Sequence, residues 1–280
     1  MQSDRGPGVS RTVVNRFLTF LGERHEERPG PEAMRPCRLL AMELHLSTRE
    51  SLMDDLKEVQ FSFELSGEFV PGLLYLPAHV EEPLPLVFIQ HPGTSSKDDY
   101  FVADPAKMWA RRGWACAGID APLHGDRRNH DPMALFRDRS RFPEITAQFA
   151  AELSAAIDLL AAAYPIDLGR LGFVGYSLGS MLGVPAVSRD GRFKAAAFCL
   201  VGEGGMVGAV EGPGSHVPDL RDVAVRIVGK THDELIPREA TEALYNALPG
   251  KKDIVWLPGG HFEIGPDVIK ASGDWLKAQL

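Results

Sequence analysis

The stretch Leu171-Gly172-Phe173-Val174-Gly175-Tyr176-Ser177-Leu178-Gly179-Ser180 constrains the fold of this chain more than any other. A short apolar run ends on a serine with a glycine two residues away on either side, and helix-forming residues follow at once. A backbone that turns this sharply from strand to helix pushes the serine hydroxyl out at the sheet end and needs small neighbours to do so. Gly175 and Gly179 meet that need, so Ser177 reads as a nucleophile. The plainer reading is a tight turn without chemistry, because the bare G-x-S-x-G pattern is weak; its place between a strand and a helix is what lifts it.

The hydrophobic pattern changes period along the chain. In residues 58–65, Val59, Phe61, Phe63 and Leu65 alternate with polar residues, and residues 69–76 follow after Ser66-Gly67, which predicts two antiparallel, half-exposed strands joined by a hairpin turn. Beyond them, residues 84–90, 114–119, 171–174, 195–200, 223–228 and 254–257 are short and mostly apolar. Amphipathic helical stretches lie between most of them, at residues 105–112, 143–163, 178–187, 238–248 and 267–279. Strands alternating with helices predict an α/β fold with a mostly parallel central sheet covered on both faces. Active sites in such sheets sit at the carboxyl ends of the strands. Residues 1–50, with helical periodicity at 13–21 and 34–46, read as an N-terminal arm packed on a catalytic body of residues 51–280. A glycine-rich insertion at residues 202–220 reads as a loop over the site.

Composition excludes several classes. The 280 residues are 44% hydrophobic and 24% charged, as in an ordinary globular protein, and the net charge of −8 disfavours a nucleic-acid partner. Arg127, Arg128, Arg137, Arg139 and Arg141 interrupt that acidic balance. They could meet an anionic substrate group, but a solvated helix face paired with Asp131, Asp138 and Glu144 is the simpler expectation. Cys37, Cys116 and Cys199 make no disulfide framework, and the last two lie in apolar runs as small buried hydrophobes. Residues 1–6 lack an apolar signal region and no run approaches a membrane-spanning length, so a cytoplasmic protein without a membrane partner is expected. No cofactor is implied. His216 and His232 stand alone, and His124 with His130 lacks a partner pair, so no zinc site is expected.

A serine hydroxyl needs a base within hydrogen-bond reach. His261, after a predicted strand and a glycine turn, fits the chain order nucleophile, acid, base used on this type of sheet. The carboxylate that orients the imidazole should follow the strand between them, and residues 223–228 lead into Thr231-His232-Asp233-Glu234-Leu235-Ile236-Pro237. Asp233 is favoured for its shorter side chain. Glu234 as orienter, or Asp233 as a helix cap only, are the alternatives. His232 is tempting as a substitute base, but it lies on the wrong loop. Tyr176, beside the nucleophile, could line the acyl pocket or pack under the turn.

From residue 59 to the end, the chain resembles the α/β-hydrolases, and more narrowly the dienelactone hydrolase and carboxylesterase group. The residues that carry this are Gly72-Leu73-Leu74-Tyr75-Leu76-Pro77, Gln90-His91-Pro92-Gly93, Asp120-Ala121-Pro122-Leu123-His124-Gly125-Asp126-Arg127, the serine turn, Asp233-Glu234-Leu235-Ile236-Pro237 and Gly260-His261. The resemblance implies a Ser177–His261–Asp233 triad and an oxyanion hole made by the Leu178 amide and one from the early loop. Two departures stand out. Dienelactone hydrolases themselves carry a cysteine nucleophile, whereas this chain has Ser177. The family's His-Gly is here His91-Pro92-Gly93, and proline has no amide hydrogen, so the second donor is Gly93 or Thr94. His91 and His124 resemble positions that brace the loops around the site, and Asp120 one that ties down its own loop. The expectation is a serine hydrolase that cleaves a small-molecule carboxylic ester through an acyl-enzyme. A peptidase, a thioesterase, a carbon–carbon bond hydrolase with a carboxylate held near Arg127 and Arg128, and a non-catalytic binding protein are the rivals. A homodimer is compatible with such a chain.

Overall fold

Two patterns of apolar residues build two halves of one sheet. The structure is a computed structural model that describes residues 10–17, 42–53, 55–204 and 213–280. Among these, ten strands form a single sheet in the order β1-β2-β3-β4-β6-β5-β7-β8-β9-β10. Strands β1 (Ser10–Phe17), β2 (Met42–Met53), β3 (Leu56–Leu65) and β4 (Glu68–Pro77) form an antiparallel meander. On β3 the buried Val59, Phe61 and Phe63 alternate with more exposed polar residues, the signature of a strand with one face in the core.

Strand β4 pairs antiparallel with β6 (Ala115–Ile119), and from there the sheet is parallel. Strands β5 (Leu84–Gln90), β7 (Ile166–Tyr176), β8 (Phe193–Cys199), β9 (Ala224–Lys230) and β10 (Lys252–Leu257) complete it. Their near-continuous apolar runs follow from burial on both faces. Within β5, Leu86 and Phe88 join one core, while Val87 and Ile89 join the other. The first core packs under α3 (Phe142–Ala163), α4 (Leu178–Asp190) and α5 (Arg238–Ala247). The second packs under α1 (Tyr100–Ala110) and α6 (Pro266–Gln279). From β5 the chain crosses to β6 on one side and then returns to β7 on the other. This reversal leaves a crevice at the carboxyl ends of β5 and β7, where ligands bind in sheets of this kind.

Three expectations change. The helical reading of residues 13–21 and 34–46 fails where the chain is described, because Ser10–Phe17 and Met42–Met53 are paired strands. Leu46 and Thr48 are buried while Ser47 and Arg49 are exposed, so the period there is two. Residues 18–41, with Cys37, lie outside the described residues. Second, a membrane-length run exists: Arg139–Ala163, 25 residues with mean hydropathy 1.3, is long and apolar enough to cross a membrane by length and composition. It contains the core helix α3, and 61% of its most apolar window is buried in the fold. Third, the arginine group is not one solvated face. Arg127 is buried and forms a bidentate pair with buried Glu152 of α3, at 3.0 and 2.5 Å, while donating to the carbonyls of Asp120 and Phe69. Burying a guanidinium is costly unless it is paired and hydrogen-bonded in this way. On the surface, Arg128 pairs with Glu64 and Arg137 with Asp131.

Candidate active site

The turn after β7 is strained as the glycine spacing predicts. Ser177 has φ 50° and ψ −111°, a conformation that costs a non-glycine residue about 1–3 kcal/mol and persists only when its surroundings enforce it. The Ser177 amide donates to the Cys199 carbonyl at 2.9 Å. The Ser180 hydroxyl lies 2.7 Å from the Gly175 carbonyl and 2.9 Å from that of Cys199, and it also accepts the Cys199 amide. A Cβ on Gly179 would stand 2.4 Å from the Gln90 carbonyl oxygen, and one on Gly175 would stand 2.6 Å from the Gly179 backbone. The two glycines therefore let the start of α4 seat directly on the end of β5.

Three side chains from three loops meet at this turn. Ser177 Oγ lies 2.8 Å from His261 Nε2. His261 Nδ1 lies 2.9 Å from both carboxylate oxygens of Asp233. Asp233 Oδ1 also accepts the amides of Leu235 at 2.9 Å and Ile236 at 2.7 Å. Burial pushes the Asp233 carboxyl upward, but the His261 hydrogen bond and the Ile236 and Leu235 amides outweigh it and hold it below the ordinary aspartate value. The carboxylate thus stays ionised and can accept a hydrogen bond from a protonated Nδ1, the tautomer that would leave Nε2 as an acceptor. Glu234 does not reach the imidazole. Its Oε2 accepts the His261 backbone amide at 2.8 Å, which fixes the loop rather than the ring. His232 is exposed and lies against Thr231.

Ser177, Leu178 and His261 open into a cavity of about 530 Å³, which Gly93 and Thr94 also line. The loop that carries Gly93 and Thr94 is tied to the loop after β6. The Ala121 amide donates to His91 Nε2 at 2.9 Å, and the Lys97 amide and Nζ each reach the Asp120 carboxylate at 2.9 Å. Lys97 Nζ also contacts Asp126 at 2.8 Å. His124 Nδ1 lies 2.9 Å from the Pro122 carbonyl, and its ring is 5.5 Å from that of His91. Asp120 and both histidines are therefore placed in the scaffold of these loops.

Tyr176 is fully buried, packs edge-on against Phe101 with ring centroids 6.3 Å apart, and does not line the cavity. The cavity wall comes instead from Phe101, Met133, Leu135, Phe142, Met181 and Phe262. Of the glycine-rich insertion, residues 202–204, 215–217, 219 and 220 are not among those that line it, and residues 205–212 lie outside the described residues. Sequence reasoning passed over Lys97 and Ser180, whose partners are distant in the chain. It also passed over the wall residues between β6 and α3, although an apolar Met133, Leu135 and Phe142 within a charged stretch was a readable signal. Cys116 and Cys199 are buried and unpaired, and burial pushes both thiols up. No group of histidine, cysteine and acidic residues that could hold a metal ion occurs among the described residues.

No protein-family model matches the chain. It is similar to a hydrolase, acrC, of Aspergillus aculeatus, at 28% identity over 151 residues. It is also similar to the hydrolase LUC6 of a Fusarium species, at 31% over 146 residues. Each match covers 51% of this chain and 33% of the relative, so the matched part is about a third of the length of these curated proteins. Among solved structures, a cold-adapted esterase from an Arctic intertidal metagenomic library, bound to PEG, superposes with a TM-score of 0.68 at 28% identity. That match covers 82% of this chain and 97% of the esterase. An acetyl xylan esterase from Paenibacillus sp. R4 shares the fold, with a TM-score of 0.69 at 18% identity over 85% of this chain and 89% of the other. The strand order, the strained turn between β7 and α4, and these neighbours give the chain an α/β-hydrolase fold similar to that of esterases.

Proposed function

We propose that this chain is a serine carboxylesterase that works through an acyl-enzyme, with Ser177 as nucleophile, His261 as base and Asp233 as orienter. The observation that carries this reading is the unbroken hydrogen-bonded line from Ser177 Oγ through His261 to Asp233, ending in the wall of a cavity. Ser177 Oγ attacks the ester carbonyl carbon and gives its proton to His261 Nε2. The oxyanion forms between the Leu178 amide, at the positive end of α4, and an amide of Gly93 or Thr94. Collapse of the tetrahedral intermediate breaks the bond to the alcohol, which leaves with the proton from Nε2. Water repeats both steps on the acyl-enzyme, releases the acid and restores Ser177. Residues 51–280 are the catalytic body in this reading, and the buried, unpaired Cys116 and Cys199 fit a reducing, cytoplasmic setting.

The test is labelling with a fluorophosphonate, with mass spectrometry to locate the adduct, alongside hydrolysis of p-nitrophenyl esters. The expected result is an adduct on Ser177 in the wild type, none in Ser177→Ala, and strongly slowed labelling in His261→Ala, with ester hydrolysis following the same order. A folded wild type that neither labels nor hydrolyses any ester would overturn the proposal and favour a binding protein on this fold. The carbon–carbon hydrolase reading loses its support from the arginine pair, since Arg127 is spent on Glu152 and Arg128 on Glu64.

A further inference from the structure

The charge of the cavity wall carries the reading one step further. Phe101, Met133, Leu135, Phe142, Met181 and Phe262 supply an apolar lining. None of the described residues that line the cavity is lysine or arginine, and the one carboxylate there is Asp99. Asp99 accepts hydrogen bonds from the Ser95 hydroxyl and the Ser96 amide, which hold it at the start of α1. Three arginines of the segment beside the site are paired elsewhere, Arg127 inward to Glu152, Arg128 to Glu64 on β3 and Arg137 to Asp131, and Arg139 and Arg141 are not among the residues that line the cavity. That same segment turns Met133, Leu135 and Phe142 toward the cavity. Met133 is 47% exposed and Phe262 is 75% exposed, so the apolar lining continues to the mouth.

An anionic group that entered here would lose its water against apolar side chains, meet no countercharge among the described lining residues, and face Asp99 inside a protein of net charge −8. We propose that the site selects neutral esters whose acyl chain is apolar, and that it rejects esters whose acyl chain ends in a carboxylate. The segment from Met133 to Phe142 is the specificity-determining wall. This rests on the esterase reading above and adds a selectivity that the triad does not require. A volume of about 530 Å³ suits an acyl chain of moderate length with its leaving group, within the range of small-molecule pockets.

The experiment compares p-nitrophenyl hexanoate with mono-p-nitrophenyl adipate at neutral pH. These carry acyl chains of equal carbon number that differ in a terminal carboxylate. Fluorophosphonate labelling of Ser177 is followed in every variant. The expected kcat/KM ratio favours the hexanoate by on the order of 100-fold or more. Met133→Lys should shrink that ratio at least tenfold, on the order expected for a countercharge beside the carboxylate, whereas the neutral Met133→Gln should keep it. Labelling with hydrolysis of both esters at similar kcat/KM would overturn the selectivity and leave the esterase reading standing. So would a ratio that Met133→Lys leaves unchanged in a variant that still labels. A wild type that neither labels nor hydrolyses either ester would instead overturn the esterase reading on which the selectivity rests.

Discussion

His261 and His91 are both buried at the carboxyl end of the same sheet, 4% and 0% exposed, yet their surroundings give them opposite chemistry. His261 sets one ring nitrogen on a carboxylate and the other on the Ser177 hydroxyl, a partner that can give up its proton. His91 spends both nitrogens on backbone. Nδ1 donates to the Pro92 carbonyl at 2.7 Å, and Nε2 accepts the Ala121 amide at 2.9 Å. Burial, with His124, Lys97 and Arg127 nearby, lowers the His91 pKa to about 3. It is locked neutral. The contrast teaches that burial alone does not make a base. What matters is a carboxylate behind the ring and a proton donor in front of it.

The comparison can be broken most directly at the nucleophile. Ser177→Ala should lower kcat on the order of a millionfold while the protein stays folded, read by steady-state ester hydrolysis. Asp233→Asn should lower kcat by roughly 10⁴-fold, because an amide no longer holds the imidazole in its working tautomer. The same variant sharpens the electrostatics. The lowered Asp233 pKa means that its ionised form stabilises the fold fully above the ordinary aspartate value of about 3.9 and loses that contribution as pH falls through the folded value. Thermal melts of wild type and Asp233→Asn should therefore converge only in strong acid.

Smaller effects are expected on the His91 side. Lys97→Met should cut kcat about 10–100-fold and leave KM nearly unchanged, because loosening the Gly93–Thr94 loop from Asp120 displaces the proposed oxyanion donor without touching bound substrate. Equal loss in kcat and in Ser177 labelling at saturating probe would instead point to a general failure of folding. His91→Gln should cost about 1–3 kcal/mol of stability in denaturant melts, as unmatched buried polar groups do. It should also flatten the loss of stability on acidification. With a folded pKa near 3, wild-type His91 contributes stability that is complete above its unfolded value of about 6.5 and falls away below it. If His91→Gln shifted the pH profile of kcat instead, the two histidines would not be chemically distinct.

Much of this was legible in the residues. The period-two pattern of β3, the apolar runs of β5 to β9 and the helices between them are local properties that place the strand ends around the crevice. Strand β4, expected to be half-exposed, is instead buried from Val70 to Leu76, because β3 and β6 flank it and both faces are covered. The turn at Ser177 and the order of Asp233 and His261 were readable because each sits where an apolar run stops. At Ser10–Phe17 and Met42–Met53 the helical expectation gave way to strands. The strand pairing of β1 with β2 supplies backbone partners that no local window reveals, and propensity yields to such pairing.

By itself, then, the chain determined its layers, its crevice and the strand ends that bring Ser177, Asp233 and His261 together, because burial periodicity and glycine spacing act over a few residues. Only the tertiary structure decided where the long side chains went. Arg127 turned inward to Glu152, Tyr176 went beneath the turn, and Lys97 bridged two loops, while Met133, Leu135 and Phe142 made the wall of the site. The physical reason is common to all of them. A long or charged side chain settles where its charge is paired and its apolar part is covered, and both partners come from residues far away in sequence.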